Sequence, residues 1–533
     1  MTIKTCVSPK GKFNYGIHRP AFHVENLRQA DNTQSLGMFS DGRPCENSPN
    51  FPQNDVHIAD ADIIFEIPNA LPFKGTTYIK KKWADEKKDN LSSICLPPKP
   101  SFSWNQTLKE WANQSQIDST ETQQLWHHLP QAVQLTIAST SSDPTDLTQL
   151  AHQVCEFTLD ENSVPVGLKY DSGSGRPIIH DHVIFETLAN NPYLPDNYKV
   201  AMVLRPGVQG KSPIVGEFSD DTTHVFEYLR ANSYIPWGHY AANMADDSIR
   251  YDIQQVTLDD IIGMRHLFYQ RTYVRLCQQL EIPVSFHRKT IPPDELESLR
   301  LKIKKQLKHD PELPFNSNLW GWNFGFDYSP NHYRLHASHQ QVHQQYAMIP
   351  NQVPTNQGSK MQSFACGDLV ADFIHAYRQC HGTGFFDDYT RAIQNNQRMD
   401  ESDKNPKELI IYSDDHIMIY VPKAQTSQWE IQIMPTHATG NVLEADSNMR
   451  FALDRGIYMT AKILSALNAR LVTHIEYASR LSGSPTDQRL IIVFLPRLPE
   501  SPGAFSEAQL RWINGHYPED FAAACRNQLE TIF

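Results

Sequence analysis

The region from residue 409 to 497 orders its apolar and polar segments in a way that few folds can accommodate. Leu409–Pro422 predicts two strands separated by a turn, and Trp429–Pro435 predicts a third strand. A long amphipathic helix is expected over residues 448–467, and Arg489–Arg497 predicts a final strand. Such an order is typical of an antiparallel sheet that is covered by one helix.

The preceding part of the chain repeats this order with a different sequence. Tyr198–Leu204 alternates like a strand, and the polar segment Asn232–Asn243 follows it. Thr257 is then expected as the N-cap of a helix whose first turn carries Asp259 and Asp260. The repetition predicts two similar units whose sheets can pair with each other.

We therefore predict an α+β protein with antiparallel sheets flanked by helices in two halves. The first half is expected over residues 176–360 and the second over residues 361–533. Residues 1–130 are rich in Pro, Asn and Asp, and residues 1–175 are predicted to form an irregular N-terminal extension of unknown role. Within it, Asp62–Ile67 is the clearest strand candidate, and residues 116–165 are expected to be partly helical.

Composition limits the partners and the compartment of the protein. The 533 residues include 48 Lys and Arg against 60 Asp and Glu, a net charge of −12, which argues against a broad surface for nucleic acid or an anionic membrane. No window approaches the roughly 18 apolar residues of a membrane span, and the N-terminus lacks a signal-peptide core. The eight cysteines form no Cys-x-x-Cys pair, so no zinc ribbon is predicted. We expect a cytoplasmic protein with reduced thiols.

Residues 331–345 concentrate imidazole side chains, with His332, His336, His339 and His343 interleaved with Gln, Ser and Arg. Imidazole is the side chain best suited to act near neutral pH as a base, a nucleophile or a metal ligand. The segment therefore predicts either a reactive site or a metal site.

Two conformations of this segment fit its sequence. In a strand, apolar and polar side chains would alternate over residues 333–338. In a helix, Ser329 is a suitable N-cap and Pro330 a suitable first residue. The four histidines would then share one helix face and could bind a divalent metal such as Zn²⁺ or Mg²⁺.

Several motifs resemble the histidine-triad (HIT-like) superfamily. In the second half, the matching residues are Ile433–His437, Leu443–Asp446 and the strand end Phe494–Pro496. In the first half, Pro236-Trp-Gly-His239 matches the family's Pro-Gly-His turn. A chain with two such halves is similar to the branch of galactose-1-phosphate uridylyltransferases and dinucleotide phosphorylases, and the resemblance covers about residues 180–500.

This resemblance implies two HIT-like sheets and nucleotidyl transfer or phosphorolysis through a nucleotidyl-histidine intermediate. The implied substrate is a nucleotide sugar or a dinucleoside polyphosphate. Gln488 and Leu490 stand where the last strand of the second half would carry histidines, so that half is expected to be inactive.

The catalytic stretch of that branch reads Asn-x-Gly, Ser-x-x-His and His-x-Gln. Its start matches Asn323-Phe-Gly325 and Ser329-Pro-Asn-His332, and its end matches His339-Gln-Gln341 several residues later than expected. If His332 were taken as the first family histidine, the nucleophile position would fall on Arg334, whose guanidinium stays protonated. The resemblance thus implies His339 as the nucleophile and favours the strand conformation.

The other residues of the stretch are expected to bind the substrate. In a strand, Gln341 would share a face with His339 and donate its amide to a nonbridging phosphate oxygen. His336 or Ser338 would orient the ring or bind phosphate. The remaining binding candidates are Asn323, Ser329, His332 and Arg334, with Lys199 and Arg205 as further phosphate counter-charges.

Two other functions stay open on the sequence. A metal-dependent enzyme would use the helix face formed by His332, His336, His339 and His343. A catalytically inactive nucleotide-binding module would explain the displaced motif and Arg334. The sequence also leaves the oligomeric state open, with a homodimer as one candidate, and it predicts Trp320 and Trp322 as core residues.

Overall fold

A computed structural model describes most of the chain. The described residues are 4–24, 34–47, 56–58, 62–97, 101–115, 124–189, 191, 193–203, 257–284, 291–309, 312–325, 342–469, 471–483, 486–497, 506 and 508–533. The segment Asn232–Asn243, which carries the first-half Pro-Trp-Gly-His motif, lies outside them, as does Arg205.

The first part of the chain contains short strands and several helices. In chain order its elements are β1 Val7–Ser8, β2 Lys12–Phe13, β3 Gly16–His18, β4 Phe22–Val24, β5 Ser35–Met38, β6 Pro44–Glu46, β7 Val56–Ile58, β8 Ile64–Pro68, β9 Thr76–Lys80, α1 Lys81–Lys88, α2 Trp104–Ser115, α3 Gln131–Thr140, α4 Pro144–Val154, β10 Phe157–Leu159, β11 Pro165–Leu168, α5 His182–Ala189 and α6 Asp196–Val203.

Longer elements follow from residue 258 onward. They are α7 Leu258–Gln279, α8 Pro293–Leu307, β12 Phe315–Gly325, β13 Val342–Pro350, β14 Gln352–Pro354, β15 Lys360–Gln362, α9 Cys366–His381, α10 Phe385–Gln394, β16 Ile410–Ser413, β17 Ile417–Tyr420, β18 Ile431–Pro435, α11 Ser447–Ala466, β19 Leu471–Tyr477, β20 Ile491–Arg497, β21 Arg511–Asn514 and α12 Pro518–Ile532.

The central sheet of the described residues has seven strands in the order β13-β12-β19-β20-β18-β17-β16. All of its neighbouring strands run antiparallel. A second sheet has the order β21-β9-β8-β3, in which β21 runs parallel to β9. The last strand of the chain therefore completes a sheet whose other strands belong to the N-terminal extension.

One face of the central sheet is covered by α7 and α11. Ile431 and Ile433 of β18 pack in the same buried cluster as Leu453 and Ile457 of α11. Alternate residues of β18 therefore face this helix, as expected for a strand. The side chain of Asp446 caps α11 by accepting a hydrogen bond of 2.9 Å from the backbone N–H of Met449.

The other face of the sheet is covered by α9, α10 and the N-terminal strands. Met418, Met434 and Val493 of the sheet share a buried cluster with Val370 of α9 and Phe386 of α10. This cover makes β17, β18 and β20 inaccessible on both faces, which is why their sequences are nearly continuous apolar runs.

Buried polar contacts attach the N-terminal extension to this sheet. Lys74 and Glu430 form an ion pair of 2.5 Å between nearly inaccessible side chains. The side-chain amide of Asn69 donates to the backbone carbonyl of Ala424 at 3.1 Å. Because a broken buried pair leaves an uncompensated charge, these contacts specify how the extension docks.

A third core lies within α2 to α6. It includes the buried residues Ile137 of α3, Leu147 and Leu150 of α4, and Ala201 and Met202 of α6. Its residues lie on both sides of position 175. The division into three regions at residues 175 and 360 stays a prediction.

Most predicted elements of the second half are confirmed. The two strands of Leu409–Pro422 are β16 and β17, the helix expected at 448–467 is α11, and the last strand is β20. The strand candidate Asp62–Ile67 corresponds to β8, and Thr257 directly precedes α7. The α+β class with antiparallel sheets is therefore confirmed, while the duplication into two halves stays a prediction.

The strand predicted at Tyr198–Leu204 is wrong, because residues 196–203 form helix α6. The neighbouring residues Ala201 and Met202 are both buried, which a helix permits on one face and an alternating strand does not. The alternative helix through the histidine-rich segment is also wrong from Val342 onward, where β13 begins. The described helices include none with the length and hydropathy to cross a membrane.

Helix α9 is pressed so closely against the end of β19 that its second residue must be glycine. An added Cβ at Gly367 would overlap the carbonyl oxygen of Ala478. We therefore expect Gly367→Ala to lower the free energy of unfolding by about 3 kcal/mol through overpacking. Chemical denaturation would measure this loss.

Gly263 in α7 offers a matched control, because nothing lies within 4 Å of its added Cβ. Gly263→Ala is expected to raise the free energy of unfolding by up to about 1 kcal/mol through helix propensity. Equal effects of the two substitutions would contradict the close approach of α9 to β19.

Candidate functional site

Strands β12 and β13 place the residues on either side of positions 326–341, which include most of the histidine-rich segment, beside each other. Phe324 pairs with Val342, and Asn323 pairs with His343, in an antiparallel register. Residues 325–341 therefore connect two hydrogen-bonded neighbours of the same sheet.

Asn323 is the predicted site residue whose side chain the structure describes. It is buried, with an exposed fraction of 8%. Its side-chain oxygen has no hydrogen-bond partner among the described residues. Because an unsatisfied buried acceptor costs about 1–3 kcal/mol, a partner from the connecting segment or from a bound ligand would be stabilising.

The face of β12 and β13 that carries Asn323 is partly exposed on the side of β13. Gly321 of β12 stands opposite Gln345 of β13, so both lie on the same face as Asn323, two positions along the strand. Gln345 and the next residue on that face, Ala347, are exposed. By contrast, Tyr346 and Met348 pack against the core beneath α7.

The residues just before β20 are buried. Leu490 is fully buried in the core, and the side-chain amide of the buried Gln488 donates to the backbone carbonyl of Gly367 at 3.2 Å. These are the two positions where the resemblance would place histidines. Their burial agrees with the expectation that the second half is inactive, which stays a prediction.

A group of charged side chains is buried on the opposite face of the sheet. Arg265 of α7 forms an ion pair of 2.5 Å with Glu476 of β19 and one of 3.1 Å with Asp454 of α11. The hydroxyl of Tyr269 donates to Asp454 at 2.6 Å. One guanidinium thus joins α7, α11 and β19 directly beneath the junction of β12 with β19.

The protonation of this group follows from its burial and from its charge balance. Two carboxylates share one cation, so full ionisation would leave a net negative charge in the core. Burial raises the pKa of Asp454 to about 7, although the nearby Arg265 opposes this shift. Burial also raises the pKa of Glu476 against the same opposing cation.

His474 completes the buried layer at the same junction. Its ring centroid lies 4.5 Å from that of Trp320 and 4.9 Å from that of Trp322. Burial, assisted by the charge of Arg265, lowers the pKa of His474 well below its usual value, so the ring is neutral. The prediction that Trp320 and Trp322 are core residues is confirmed by their burial.

Most of the predicted site residues lie outside the described residues. These are Ser329, His332, Arg334, His336, Ser338, His339 and Gln341. His343 is described as a position of β13 only. Lys199 is likewise described only as a position of α6, and the roles of all these residues stay predictions.

The buried group of Arg265, Asp454, His474 and Glu476 was not predicted from the sequence. One signal was present, because His474 and Glu476 are polar residues two apart in the otherwise apolar strand Leu471–Tyr477. Such spacing places both on one face of a strand. The partners Arg265 and Asp454 carry no comparable signal, since each belongs to a different helix.

Within the described ranges, no group of three or more His, Cys, Asp or Glu side chains is placed to hold a metal ion. Three of the four histidines in the alternative metal site lie outside those ranges, and the fourth is in a strand rather than the expected helix. Binding of Zn²⁺ or Mg²⁺ by the histidine-rich segment therefore stays a prediction without the helix that suggested it.

No protein-family model and no curated protein matches this chain. Among solved structures, a uridylyltransferase is 12% identical and covers 46% of this chain and 70% of its own, with a TM-score of 0.33. An ADP-glucose phosphorylase from Arabidopsis thaliana with bound ADP-glucose is 17% identical over 44% of this chain and 67% of its own, with a TM-score of 0.31. A Hit-like protein from Bartonella henselae is 18% identical over 22% and 85%, with a TM-score of 0.18.

These partial likenesses are to proteins of the same group that the sequence motifs resemble. At these identities and TM-scores, the likeness supports no correspondence between individual residues. It also assigns no substrate to this chain.

The buried carboxyl of Asp454 predicts a pH dependence of stability. Its folded pKa of about 7 exceeds the ordinary value of 3.8, so its contribution is full below the ordinary value and is lost as pH rises through 7. We expect Asp454→Asn to remove this loss, which is about 1.4 kcal/mol per pH unit between roughly pH 5 and 7. Urea denaturation across this range would measure it.

Asp414 provides a control of opposite sign. Partial burial would raise its pKa, but hydrogen bonds from the backbone of Ile417 and His416 and from Arg455 lower it overall. The contribution of Asp414 to the free energy of unfolding is lost only in acid. Asp414→Asn should therefore leave the slope of the free energy of unfolding against pH unchanged between about pH 5 and 7. If Asp454→Asn left the slope of the free energy of unfolding against pH unchanged, that result would contradict the raised pKa of Asp454.

Proposed function

We propose that this protein transfers or phosphorolyses a nucleotidyl group of a nucleotide sugar or a dinucleoside polyphosphate through a bond to His339. The observation that supports the proposal is the pairing of the strand ends that flank the histidine-rich connection. Phe324 of β12 pairs with Val342 of β13, and the adjacent Asn323 has a buried side-chain oxygen with no partner among the described residues.

The proposed reaction has two displacement steps. In the first, an imidazole nitrogen of His339 attacks the α-phosphorus, and the bond from phosphorus to the bridging oxygen of the leaving group breaks. In the second, the oxygen of an incoming phosphate attacks the nucleotidyl-histidine, and the phosphorus–nitrogen bond breaks. The histidine is regenerated, and each step is an in-line displacement that needs positioning and charge stabilisation.

The residues around His339 are proposed to supply that stabilisation. The amide of Gln341 would donate to a nonbridging phosphate oxygen, and His336 or Ser338 would hold the attacking ring or a second phosphate. Arg334 and His332 would offset charge on the leaving group. Ser329 would support the connection that carries these side chains.

Asn323 is proposed to be a positioning residue of this site. In its described surroundings its side-chain oxygen accepts no hydrogen bond, although it is buried. A substrate hydroxyl or a backbone N–H of the connection could satisfy it when the substrate binds. That interaction would be gained mainly in the complex, and it would therefore contribute to turnover more than to folding.

The covalent step is open to direct measurement. We expect intact-protein mass spectrometry, quenched without acid, to show a mass gain of one nucleoside monophosphate after incubation with a suitable UDP-, GDP- or ADP-sugar or diadenosine polyphosphate. The gain should be absent in His339→Ala, because no imidazole remains to form the phosphorus–nitrogen bond.

His437 is a suitable control for that experiment, because it is exposed in a turn of the second half. His437→Ala should form the adduct to the same extent as the unsubstituted chain. An adduct that persists in His339→Ala would contradict the assignment of His339 as the nucleophile. Tight nucleotide binding without any adduct or turnover would instead support an inactive binding module.

The role of Asn323 can be separated from its part in folding. We expect Asn323→Ala to lower turnover by about 10- to 100-fold, the equivalent of one buried hydrogen bond, while the free energy of unfolding changes by less than about 1 kcal/mol. Steady-state kinetics and chemical denaturation would test the two parts of this expectation.

Asn318 is the matched control, since it is a buried asparagine of the same strand and its side-chain atoms also have no hydrogen-bond partner among the described residues. It lies on the opposite face of β12 and away from the strand end. Equal losses of turnover in Asn318→Ala and Asn323→Ala would show that Asn323 does not position the substrate.

A further inference from the structure

A second cleft lies in the part of the molecule where the resemblance predicts no activity. It has a volume of about 430 Å³ and is lined by Thr383, Gly384, Asp387, Thr390, Arg391 and Arg489. It is formed where the first turn of α10 meets the residues just before β20. Strands β19 and β20 separate this cleft from the paired ends of β12 and β13.

Arg489 is the buried cation of this cleft, with an exposed fraction of 8%. Among the described residues its guanidinium makes long contacts, including donation to the backbone carbonyl of Pro435 at 3.2 Å and to the hydroxyl of Thr390 at 3.4 Å. Its Nε–H group is buried and has no partner among the described residues. A planar guanidinium has five N–H donors, so Arg489 retains unused capacity to bind an anion.

The carboxylate of Asp387 is a distant and exposed partner for this cation. Its nearest oxygen lies 3.4 Å from a guanidinium nitrogen of Arg489, and its side chain is 76% exposed. An exposed ion pair of this length contributes little to stability. An incoming anion could therefore displace the carboxylate into solvent at small cost.

The first turn of α10 adds backbone donors at the same place. Gly384 precedes the helix and provides no side-chain cap, so the first N–H groups of the helix have no capping acceptor from it. The nearby Asp388 is already engaged by Tyr377 and Thr383. Helix N-terminal N–H groups and guanidinium groups together are the usual donors to a phosphate group.

From this combination we infer that the cleft binds a phosphate group, either as inorganic phosphate or as the monoester of a small molecule. The buried guanidinium of Arg489 and the N-terminus of α10 hold the anion, and Thr390 and Arg391 border it. The carboxylate of Asp387 occupies the place of the anion when none is bound. The site is independent of the proposed reaction at His339.

The charge balance explains why a small anion is favoured over a polyanion. Arg378, Arg391 and Arg489 at the cleft are paired with Asp487, Asp388 and Asp387. The surroundings therefore carry no excess positive charge, and the whole chain has a net charge of −12. A nucleic acid would be repelled, whereas a single phosphate group needs only the displacement of Asp387.

Calorimetric titration of the full chain with sodium phosphate tests the inference. We expect Arg489→Gln to weaken phosphate binding by about tenfold, because it removes a charge-assisted interaction. Asp387→Asn should strengthen binding by about fivefold, because the competing carboxylate loses its charge. The matched control is Arg455→Gln, which removes a half-buried cation that is paired with Asp414 elsewhere and should leave binding unchanged.

If Arg489→Gln fails to fold, Asp387→Asn still tests the inference. Asp387 is a surface residue, so its substitution is expected to leave the fold intact. Phosphate binding that is unchanged in Asp387→Asn, or no binding by any variant, would overturn the inference. Phosphate that binds at the proposed catalytic site would be insensitive to both substitutions. Competition by α-D-glucose 1-phosphate would identify a monoester site, and its failure to compete would identify a site for inorganic phosphate.

Discussion

The antiparallel pairing of β12 with β19 is the contact on which the rest of this architecture depends. It joins residues 315–350 to the five strands of the second half, and it sets the two tryptophans of β12 against His474. Arg265 lies directly beneath this junction with its two carboxylate partners. Because a buried pair is costly to break, the junction resists sliding of β12 along β19. The position of Asn323 at the end of β12 follows from that register.

The elements of the second half were predictable because their signals are local. Helix α11 has a capping aspartate at Asp446, and the strands before it are short apolar runs between turns. The strand prediction for Tyr198–Leu204 was wrong because it rested on a local signal alone. An apparent alternation over a few residues does not distinguish a strand from one buried face of a helix. There, the packing of Ala201 and Met202 in a core with α4 and α5 decided the conformation.

The contacts that could not be predicted connect residues far apart in the sequence. Lys74 pairs with Glu430, Lys423 pairs with Glu519, and β21 joins β9 across most of the chain. No periodicity near any of these residues indicates its partner. The same limit applies to the site. Asn323 could be predicted from its motif. The burial of its side-chain oxygen and the exposure of neighbouring residues on the same face could not, because they depend on which strands lie beside β12.

The two halves of the central sheet differ in what covers them, and this difference bears on function more directly than the identity of any one histidine. A nucleophile that attacks a phosphorus atom needs a face that the substrate can reach. Residues of β17, β18 and β20 are buried beneath α9 and α10, while Gln345 and Ala347 of β13 are exposed. A histidine at Leu490 would replace an aliphatic core residue, and one at Gln488 would lose the contact with Gly367. Restoring the motif in the second half would therefore not restore a site, because Leu490 packs in the same buried cluster as Leu453 and Ile457 of α11, and this cover would still exclude the substrate.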